Sequence, residues 1–189
     1  MTEIVAHRGW DGRNSPEGII AAISNKHGAE FDLRDDGVDI VIAHDPFPRH
    51  AVRFDELLYR LQCVDLINRQ VLAINIKSAG LAPRLSEIIL DRRLTNYFCF
   101  DLASPDAAEY RAQGLRFLDR CAPQESSACW GACGTIYDFV DTDPEFFYKT
   151  ELYAEEEVRF VVCPSMRGLD RSDFLGISPR PTHILRRFY

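Results

Sequence analysis

Side chains that can transfer protons, bind phosphate or ligate a metal ion follow or interrupt the first four apolar runs of the sequence. They are His7, Arg8, Glu30, Asp32, His44, Asn75 and Lys77. Imidazole titrates near neutral pH, carboxylates are favoured ligands of Mg²⁺ and Ca²⁺, and arginine and lysine bind phosphate oxygens. This combination of residue types predicts a site for phosphodiester chemistry, provided that the fold gathers them.

The two carboxylates, Glu30 and Asp32, are two residues apart within an apolar run. On a β-strand, residues i and i+2 face the same side, so both could ligate one divalent cation. Such a cation could contact a nonbridging phosphate oxygen and the attacking hydroxyl. Arg8 and Lys77 would balance the remaining phosphate charge, Arg8 through its bidentate guanidinium.

The two histidines, His7 and His44, would supply a general base and a general acid. Six of the seven residues, all but Arg8, also have a purely structural alternative. A histidine at a strand end is commonly a hydrogen-bonded surface residue, a Glu-x-Asp pair commonly forms a solvated strand face, and Asn75 with Lys77 could simply end an edge strand. Their joint occurrence, in this order along the chain, favours the catalytic interpretation.

The composition bounds the size and the partners of the protein. With 189 residues, of which 46% are hydrophobic, the chain can bury one sizeable core, and we expect a single domain over residues 1–189. Its 29 acidic residues exceed its 22 lysines and arginines, which gives a formal net charge of −7. That balance argues against sequence-independent nucleic-acid binding, which requires a basic surface.

The apolar segments and the cysteines predict the compartment. No basic segment followed by a long apolar stretch opens the sequence, and no later run approaches ~18 uninterrupted apolar residues. We therefore expect a cytoplasmic protein without stable membrane insertion, whose six cysteines are reduced. Cys129 and Cys133 in CWGAC lack a second ligand pair at the spacing of a zinc site, so we predict ordinary thiols there.

Strand-like and helix-like segments alternate along the chain. About eight short apolar runs predict strands, and segments with helical spacing or Ser-Pro and Asp-Pro starts lie between most of them. This alternation predicts an α/β fold, a compact TIM (β/α)₈ barrel that is irregular at its C-terminal strands. An open doubly wound sheet is the alternative, weakened because no glycine-rich phosphate turn follows the first strand. Residues 35–39, DDGVD, predict a hairpin turn.

Residues 4–46, IVAHRGWDGRNSPEGIIAAISNKHGAEFDLRDDGVDIVIAHDP, contain four short motifs in order: His-Arg-Gly, Pro-Glu, Glu-x-Asp and His-Asp. This stretch resembles the N-terminal signature of the glycerophosphodiester phosphodiesterase family. The resemblance implies a TIM barrel, a divalent cation at Glu30 and Asp32, and an acid/base pair formed by His7 and His44.

The fourth apolar run departs from the family pattern, in which the corresponding strand reads Glu-x-Lys. Here Asn75 stands at the glutamate position, while Lys77 keeps the phosphate-binding role. Asparagine ligates hard cations through its carbonyl oxygen, so we expect a neutral metal ligand and a lower metal affinity. The resemblance further implies that Glu17 lies near the site. Similarity to a short bacterial branch of the family implies that Asp101 and Arg120 line the same end of the barrel as the predicted site.

Together these residues and the resemblance predict a metal-dependent phosphodiesterase that uses Mg²⁺ or Ca²⁺ and acts on a small-molecule, glycerophosphodiester-like substrate. A neighbouring substrate hydroxyl would attack phosphorus and give a cyclic phosphate, and an enzyme that releases that product would be a lyase. The alternatives are a noncatalytic phosphate-binding barrel derived from the same family and, less favoured, a barrel like the sugar-phosphate isomerases. The residues leave the substrate alcohol, the preferred metal and the oligomeric state open.

Overall fold

The computed structural model describes residues 2–121, 132–137, 158–161 and 182–187. In chain order the elements are β1 (Thr2–Ala6), α1 (Pro16–Ser24), β2 (Gly28–Asp35), β3 (Ile40–Ile42), α2 (Phe54–Cys63), β4 (Leu72–Ile76), α3 (Ala82–Asp91), β5 (Tyr97–Phe100), α4 (Ser104–Ala112), β6 (Asp119–Cys121), β7 (Thr135–Tyr137), β8 (Val158–Val161) and β9 (Thr182–Arg187). No helix among these described elements is long and apolar enough to cross a lipid bilayer.

The predicted alternation of strands and helices is confirmed over the first part of the chain. Every strand-like and helix-like segment expected up to residue 114 forms an element of the expected type. The helix expected at 143–157 lies outside the described residues. The hairpin turn at 35–39 is also confirmed, because β2 and β3 pair antiparallel on either side of it.

The strands near the N-terminus bury both faces, which gives the sheet two apolar layers. On the outer face, side chains such as Phe31 and Leu33 of β2 pack in one cluster with residues of the four helices. On the inner face, a smaller cluster includes Val5, Ala73, Phe98 and Phe100. Because side chains alternate along a strand, the residues of β2 on either side of Phe31 must face the inner layer.

The strand order corrects the expectation of a closed (β/α)₈ barrel. The described strands follow one path, β5-β4-β2-β1-β9-β8-β7-β6, with β3 added beside β2. Its two ends approach at a single parallel bridge, between Cys99 of β5 and Phe117 just before β6, and no ladder closes the ring. In addition, β9 is antiparallel to both β1 and β8, whereas neighbouring strands of a TIM barrel are parallel. The structure is a mixed α/β fold with a largely parallel sheet.

One edge of β2 changes its partner along its length. β1 pairs in parallel with Gly28 and Ala29, whereas β3 pairs antiparallel with residues from Leu33 to Asp35. β4 occupies the opposite edge up to Leu33. β1 and β3 therefore lie end to end on the same edge, and residues 30–32 fall between their two ladders. We call this interval the β2 gap.

On the edge of β2 between the β1 and β3 ladders, loop atoms take the place of a strand and satisfy the backbone of the β2 gap. The Gly9 N–H donates to the carbonyl oxygen of Glu30 at 3.1 Å, and the Ala43 N–H donates to the carbonyl oxygen of Asp32 at 3.0 Å. The Asp32 N–H donates to the side-chain oxygen of Asn14 at 3.2 Å. The loops that follow β1 and β3 thus meet at the two carboxylates of β2. These carboxylates belong to the phosphodiester site that the sequence predicts.

Candidate active site

The two carboxylates of β2 are almost fully buried. Glu30 is 2% exposed and Asp32 is 1% exposed. Both lie on the inner face of the sheet, since Phe31 and Leu33 occupy the outer cluster. Buried carboxylates require compensating donors or cations, and the neighbouring elements supply both.

Glu30 is contacted from the end of β1. The backbone N–H of Arg8 donates to Glu30 Oε2 at 2.9 Å, and His7 Nε2 lies 3.8 Å from the same oxygen. Burial, followed by the charge of Asp32, raises the pKa of Glu30 to about 8. Glu30 is therefore mostly protonated at pH 7, and a bound cation would favour its ionised form.

Asp32 is the centre of a cationic cluster. Arg8 Nε lies 3.4 Å from Asp32 Oδ2, and Lys77 Nζ lies 3.4 Å from Asp32 Oδ1. The side-chain amide of Asn14 also donates to Asp32 Oδ2 at 2.7 Å. The ends of β1 and β4 thus bring the two expected phosphate-binding residues to one carboxylate.

Asn14 was missed in the sequence, although it holds Asp32 at two points. It donates to the carboxylate and accepts the Asp32 backbone N–H. Its backbone has a φ of 60°, a left-handed conformation that asparagine adopts more readily than most residues. An asparagine directly before the Ser-Pro helix start was visible as a turn former, but its distant partner on β2 was not.

A second acidic residue, Asp101, extends the cluster beyond β5. Lys77 Nζ lies 3.6 Å from Asp101 Oδ2, and Arg120 Nη1 lies 3.3 Å from Asp101 Oδ1. Asp101 has a φ of 66°, so the chain turns sharply where β5 ends. The structure therefore brings Asp101 and Arg120 close to Lys77. Negative and positive charges alternate in the series Asp32, Lys77, Asp101 and Arg120.

His7 is placed to be a neutral imidazole. Its side chain is 30% exposed, and burial, followed by the charge of Arg8, lowers the pKa of His7 to about 4. A histidine with this pKa is unprotonated at pH 7 and is ready to accept a proton. This is the protonation state that a general base requires.

His44 follows β3 and is more open to solvent than His7. Its side chain is 44% exposed, and its Nδ1 lies 2.8 Å from Asp45 Oδ1. His44 is close enough to His7 for its charge to contribute to the lowered pKa of His7. The hydrogen bond with His44 in turn lowers the pKa of Asp45. Asp45 therefore stays ionised and orients the imidazole with Nε2 away from it.

The structure does not bring Glu17 into this cluster. Glu17 lies in the first turn of α1, its side chain is 73% exposed, and its Oε1 pairs with Arg60 Nη1 of α2 at 3.0 Å. The start of α1 is near the mouth along the chain, but this side chain contacts a neighbouring helix instead. The role expected of Glu17 as a residue that lines the site thus remains a prediction, and the contact that the structure gives it is with Arg60.

The loop after β1 is packed tightly against the start of α1. Gly9 has a φ of +76°, and a Cβ atom there would lie 2.8 Å from the Gly18 carbonyl carbon and the Ile19 nitrogen. The Trp10 N–H also donates to the Gly18 carbonyl oxygen at 2.8 Å. This close approach holds His7 and Arg8 over the β2 gap, and only glycine fits at position 9.

We expect Gly9→Ala to lower the free energy of unfolding by about 2 kcal/mol, because it combines a left-handed backbone with a steric clash. Gly12→Ala is the matched control, since Gly12 has a φ of +70° but a Cβ atom there would meet nothing within 4 Å. Its cost should be about 1 kcal/mol. Equal losses for the two variants in urea titrations would show that the close approach contributes nothing.

A metal ion is implied by the resemblance, and the donor set fits one. Within the described residues, no three His, Cys, Asp or Glu side chains are grouped closely enough to hold a metal ion. However, Asn75 is in register with Asp32 on the neighbouring strand, and its side-chain oxygen is buried without a hydrogen-bond partner among the described residues. Two buried carboxylates and one unsatisfied carbonyl oxygen form a set of hard oxygen donors suited to Mg²⁺ or Ca²⁺.

Comparison with known proteins adds independent support for the fold. No protein-family model and no curated protein matches the sequence. A glycerophosphodiester phosphodiesterase from Parabacteroides distasonis ATCC 8503 matches with a TM-score of 0.57 and 14% identity, over 80% of this chain and 77% of that chain. One from Agrobacterium tumefaciens str. C58 matches with a TM-score of 0.59 and 15% identity, over 80% and 83%. This chain shares their fold.

The mixed α/β architecture expected from residues 4–46 is confirmed by these two neighbours, whereas closure of the barrel is not. Both are glycerophosphodiester phosphodiesterases by name, the family that the motifs resemble. At 14–15% identity the likeness establishes the architecture and leaves the chemistry to be argued from the residues. The residues that bear on the chemistry are those of the cluster at the β2 gap.

Proposed function

We propose that this protein is a metal-dependent phosphodiesterase that cleaves small glycerophosphodiester-like molecules by histidine acid/base catalysis. The observation that carries the proposal is the convergence of a neutral histidine, two cations and two buried carboxylates where β1 and β4 end beside the β2 gap. Proton transfer, phosphate binding and metal ligation require these three kinds of group. The fold shared with two phosphodiesterases supports the same conclusion.

Arg8 and Lys77 are assigned to the phosphate. Each lies 3.4 Å from an Asp32 oxygen, which is longer than an optimal charge-assisted hydrogen bond. Both cations therefore keep donor capacity for an incoming anion. A phosphate at the mouth would accept from the guanidinium and the ammonium at once, and Asp32 would hold the two cations in place.

His7 and His44 are assigned to the proton transfers. The neutral imidazole of His7 accepts the proton of the substrate hydroxyl that attacks phosphorus, and the negative charge of Asp32, which favours the protonated form of His7, then stabilises the imidazolium. His44, oriented by Asp45, donates a proton from Nε2 to the leaving alcohol. Water opening the cyclic phosphate would use the same pair with the roles reversed.

Glu30, Asp32 and Asn75 are assigned to the metal. When bound there, a divalent cation would withdraw charge from a phosphate oxygen and lower the barrier to attack. Because Glu30 must lose its proton to ligate, binding should tighten as the pH rises towards the pKa of Glu30, about 8.

The proposal is tested by incubating the protein with glycerophosphodiesters that carry different alcohols, with Mg²⁺, Ca²⁺ or EDTA, and following the products by ³¹P NMR. A phosphomonoester identifies a hydrolase, and an accumulating cyclic phosphate identifies a lyase. Turnover that EDTA abolishes supports the metal assignment. Binding of these diesters without any turnover would overturn the proposal in favour of the noncatalytic phosphate-binding protein.

Asn75 gives a direct test of the metal assignment. We expect Asn75→Asp to tighten Mg²⁺ and Ca²⁺ binding by about tenfold or more, because a third carboxylate adds negative charge to a nearly unchanged shape. Calorimetric titration of each ion into both proteins measures the difference.

Asn75→Leu is the control, because it keeps the size of the side chain and removes the carbonyl oxygen. It should weaken ion binding, in the opposite direction to Asn75→Asp. If all three proteins bind the ions equally, Asn75 is not a ligand and the metal assignment must move elsewhere.

A further inference from the structure

Arg34 lies directly above the two carboxylates on β2 and has no role in the chemistry assigned so far. It follows Asp32 by two residues and therefore shares its face of the strand. Its Nη2 atom donates to the backbone carbonyl oxygen of His44 at 2.9 Å and approaches that of Lys77 at 3.4 Å. One guanidinium nitrogen thus joins the segments that carry the proposed acid and the proposed phosphate-binding lysine.

These two segments come from opposite sides of β2. His44 follows β3, which pairs with one edge of β2, and Lys77 follows β4, which pairs with the other edge. No strand ladder connects β3 to β4 directly in the described part of the sheet. The side chain of Arg34 therefore connects the segment after β3 to the segment after β4, across β2.

We infer that Arg34 is a positioning residue that fixes the His44 segment relative to Lys77 across β2. The inference rests on the proposed function, because it assigns Arg34 to the alignment of the general acid with the bound phosphate. Displacements of about 1 Å from reactive geometry can cost about 100-fold in rate. A tether between these two backbones would therefore act on turnover without touching the substrate.

The chemistry of arginine suits this task. A guanidinium is planar and offers five N–H donors in a fixed fork, whereas an ammonium is a point charge on a flexible stem. The charge of Arg34 also helps to lower the pKa of Asp45, after the larger effects of the hydrogen bond and charge of His44 and of the charge of Arg8. Arg34 thus contacts the backbone of His44, and its charge favours the ionised form of the carboxylate that orients the ring.

The test is a double-mutant cycle between Arg34 and His44. We expect Arg34→Met to lower kcat for the glycerophosphodiester that turns over fastest by about tenfold or more, and Arg34→Lys to restore part of that loss. In a His44→Ala background the same Arg34→Met change should lower kcat less than twofold, because there is no acid left to position.

Arg53→Met is the matched control. Arg53 is an exposed arginine just before α2 that pairs with Asp39 and Asp55, and its side chain contacts neither carbonyl. It should leave kcat unchanged. Thermal unfolding of every variant checks that it is folded, and if Arg34→Met does not fold, Arg34→Lys takes its place in the cycle because it keeps the charge and the aliphatic stem.

The outcomes separate this inference from the proposed function. If Arg34→Met, or the lysine variant in its place, lowers kcat by the same factor with and without His44, or leaves the kcat of the otherwise unchanged protein intact, the positioning role is overturned. If His44→Ala itself turns over substrate at the original rate, the failure lies in the proposed mechanism instead.

Discussion

Replacing either His7 or His44 by alanine is expected to lower kcat by about 100-fold or more, the usual range for a general acid or base. The affinity for inorganic phosphate should change little, because Arg8 and Lys77 remain. Steady-state kinetics with a glycerophosphodiester and calorimetric phosphate titrations measure the two effects separately. Binding retained without turnover would identify the histidines as the proton-transfer pair.

His50→Asn is the control for these variants. His50 is an exposed histidine six residues after His44, with a φ of 60° that asparagine tolerates. It should turn over substrate at the original rate. If either His7→Ala or His44→Ala does the same, that histidine takes no part in the reaction and the acid/base assignment fails for it.

The second large effect concerns stability. In EDTA at pH 8, Glu30→Gln should raise the free energy of unfolding by about 3 kcal/mol, because it removes a charge that burial disfavours. Glutamine keeps an oxygen that can accept the Arg8 N–H, so the loop after β1 keeps its contact. Urea titrations of the two proteins across a pH series measure the difference.

The direction of the pH dependence follows from the raised pKa of Glu30. This carboxyl ionises near 4.5 when exposed and at about 8 in the folded protein. Below pH 4.5 it is protonated in both states and the advantage of the variant disappears. Between pH 4.5 and 8 only the unfolded state loses the proton, so the original protein loses stability relative to Glu30→Gln as the pH rises.

Glu17→Gln is the matched control, since Glu17 is an exposed carboxylate whose partner is Arg60. Its effect should be within about 0.5 kcal/mol over the same range. A constant difference between Glu30→Gln and the original protein from pH 4.5 to 8 would contradict the raised pKa. Glu30→Gln should also weaken divalent-ion binding, so stability is gained where function is lost.

The sequence was sufficient to place the residues that lie on regular strands. The period of two put Glu30 and Asp32 on one face and Asn75 with Lys77 on the next strand, and the structure agrees because β2 and β4 pair in the expected parallel register. The likeness of residues 4–46 to a known family signature predicted the mixed α/β architecture, but the expected closure of the barrel was wrong. Both signals are local in the chain.

The remainder depended on contacts between distant loops. Asn14 and Arg34 reach their partners only because of particular turns after β1 and β3, and no local pattern encodes those distances. Glu17 was assigned by its motif, but its side chain pairs with α2. The antiparallel β9 could not be foreseen either, since alternating strands and helices predict parallel pairing throughout.

The change of partner along β2 bears on how such a site can diversify in evolution. Both carboxylates lie in the β2 gap. On one edge of this interval, loops take the place of a neighbouring strand and satisfy the backbone hydrogen bonds. A loop can gain or lose residues at small entropic cost, whereas a strand cannot do so without shifting its register. The segments after β1 and β3 could therefore lengthen and reshape the mouth for a new alcohol while Glu30 and Asp32 stay fixed. The β2 gap thus separates the two fixed carboxylates from loops that are free to vary.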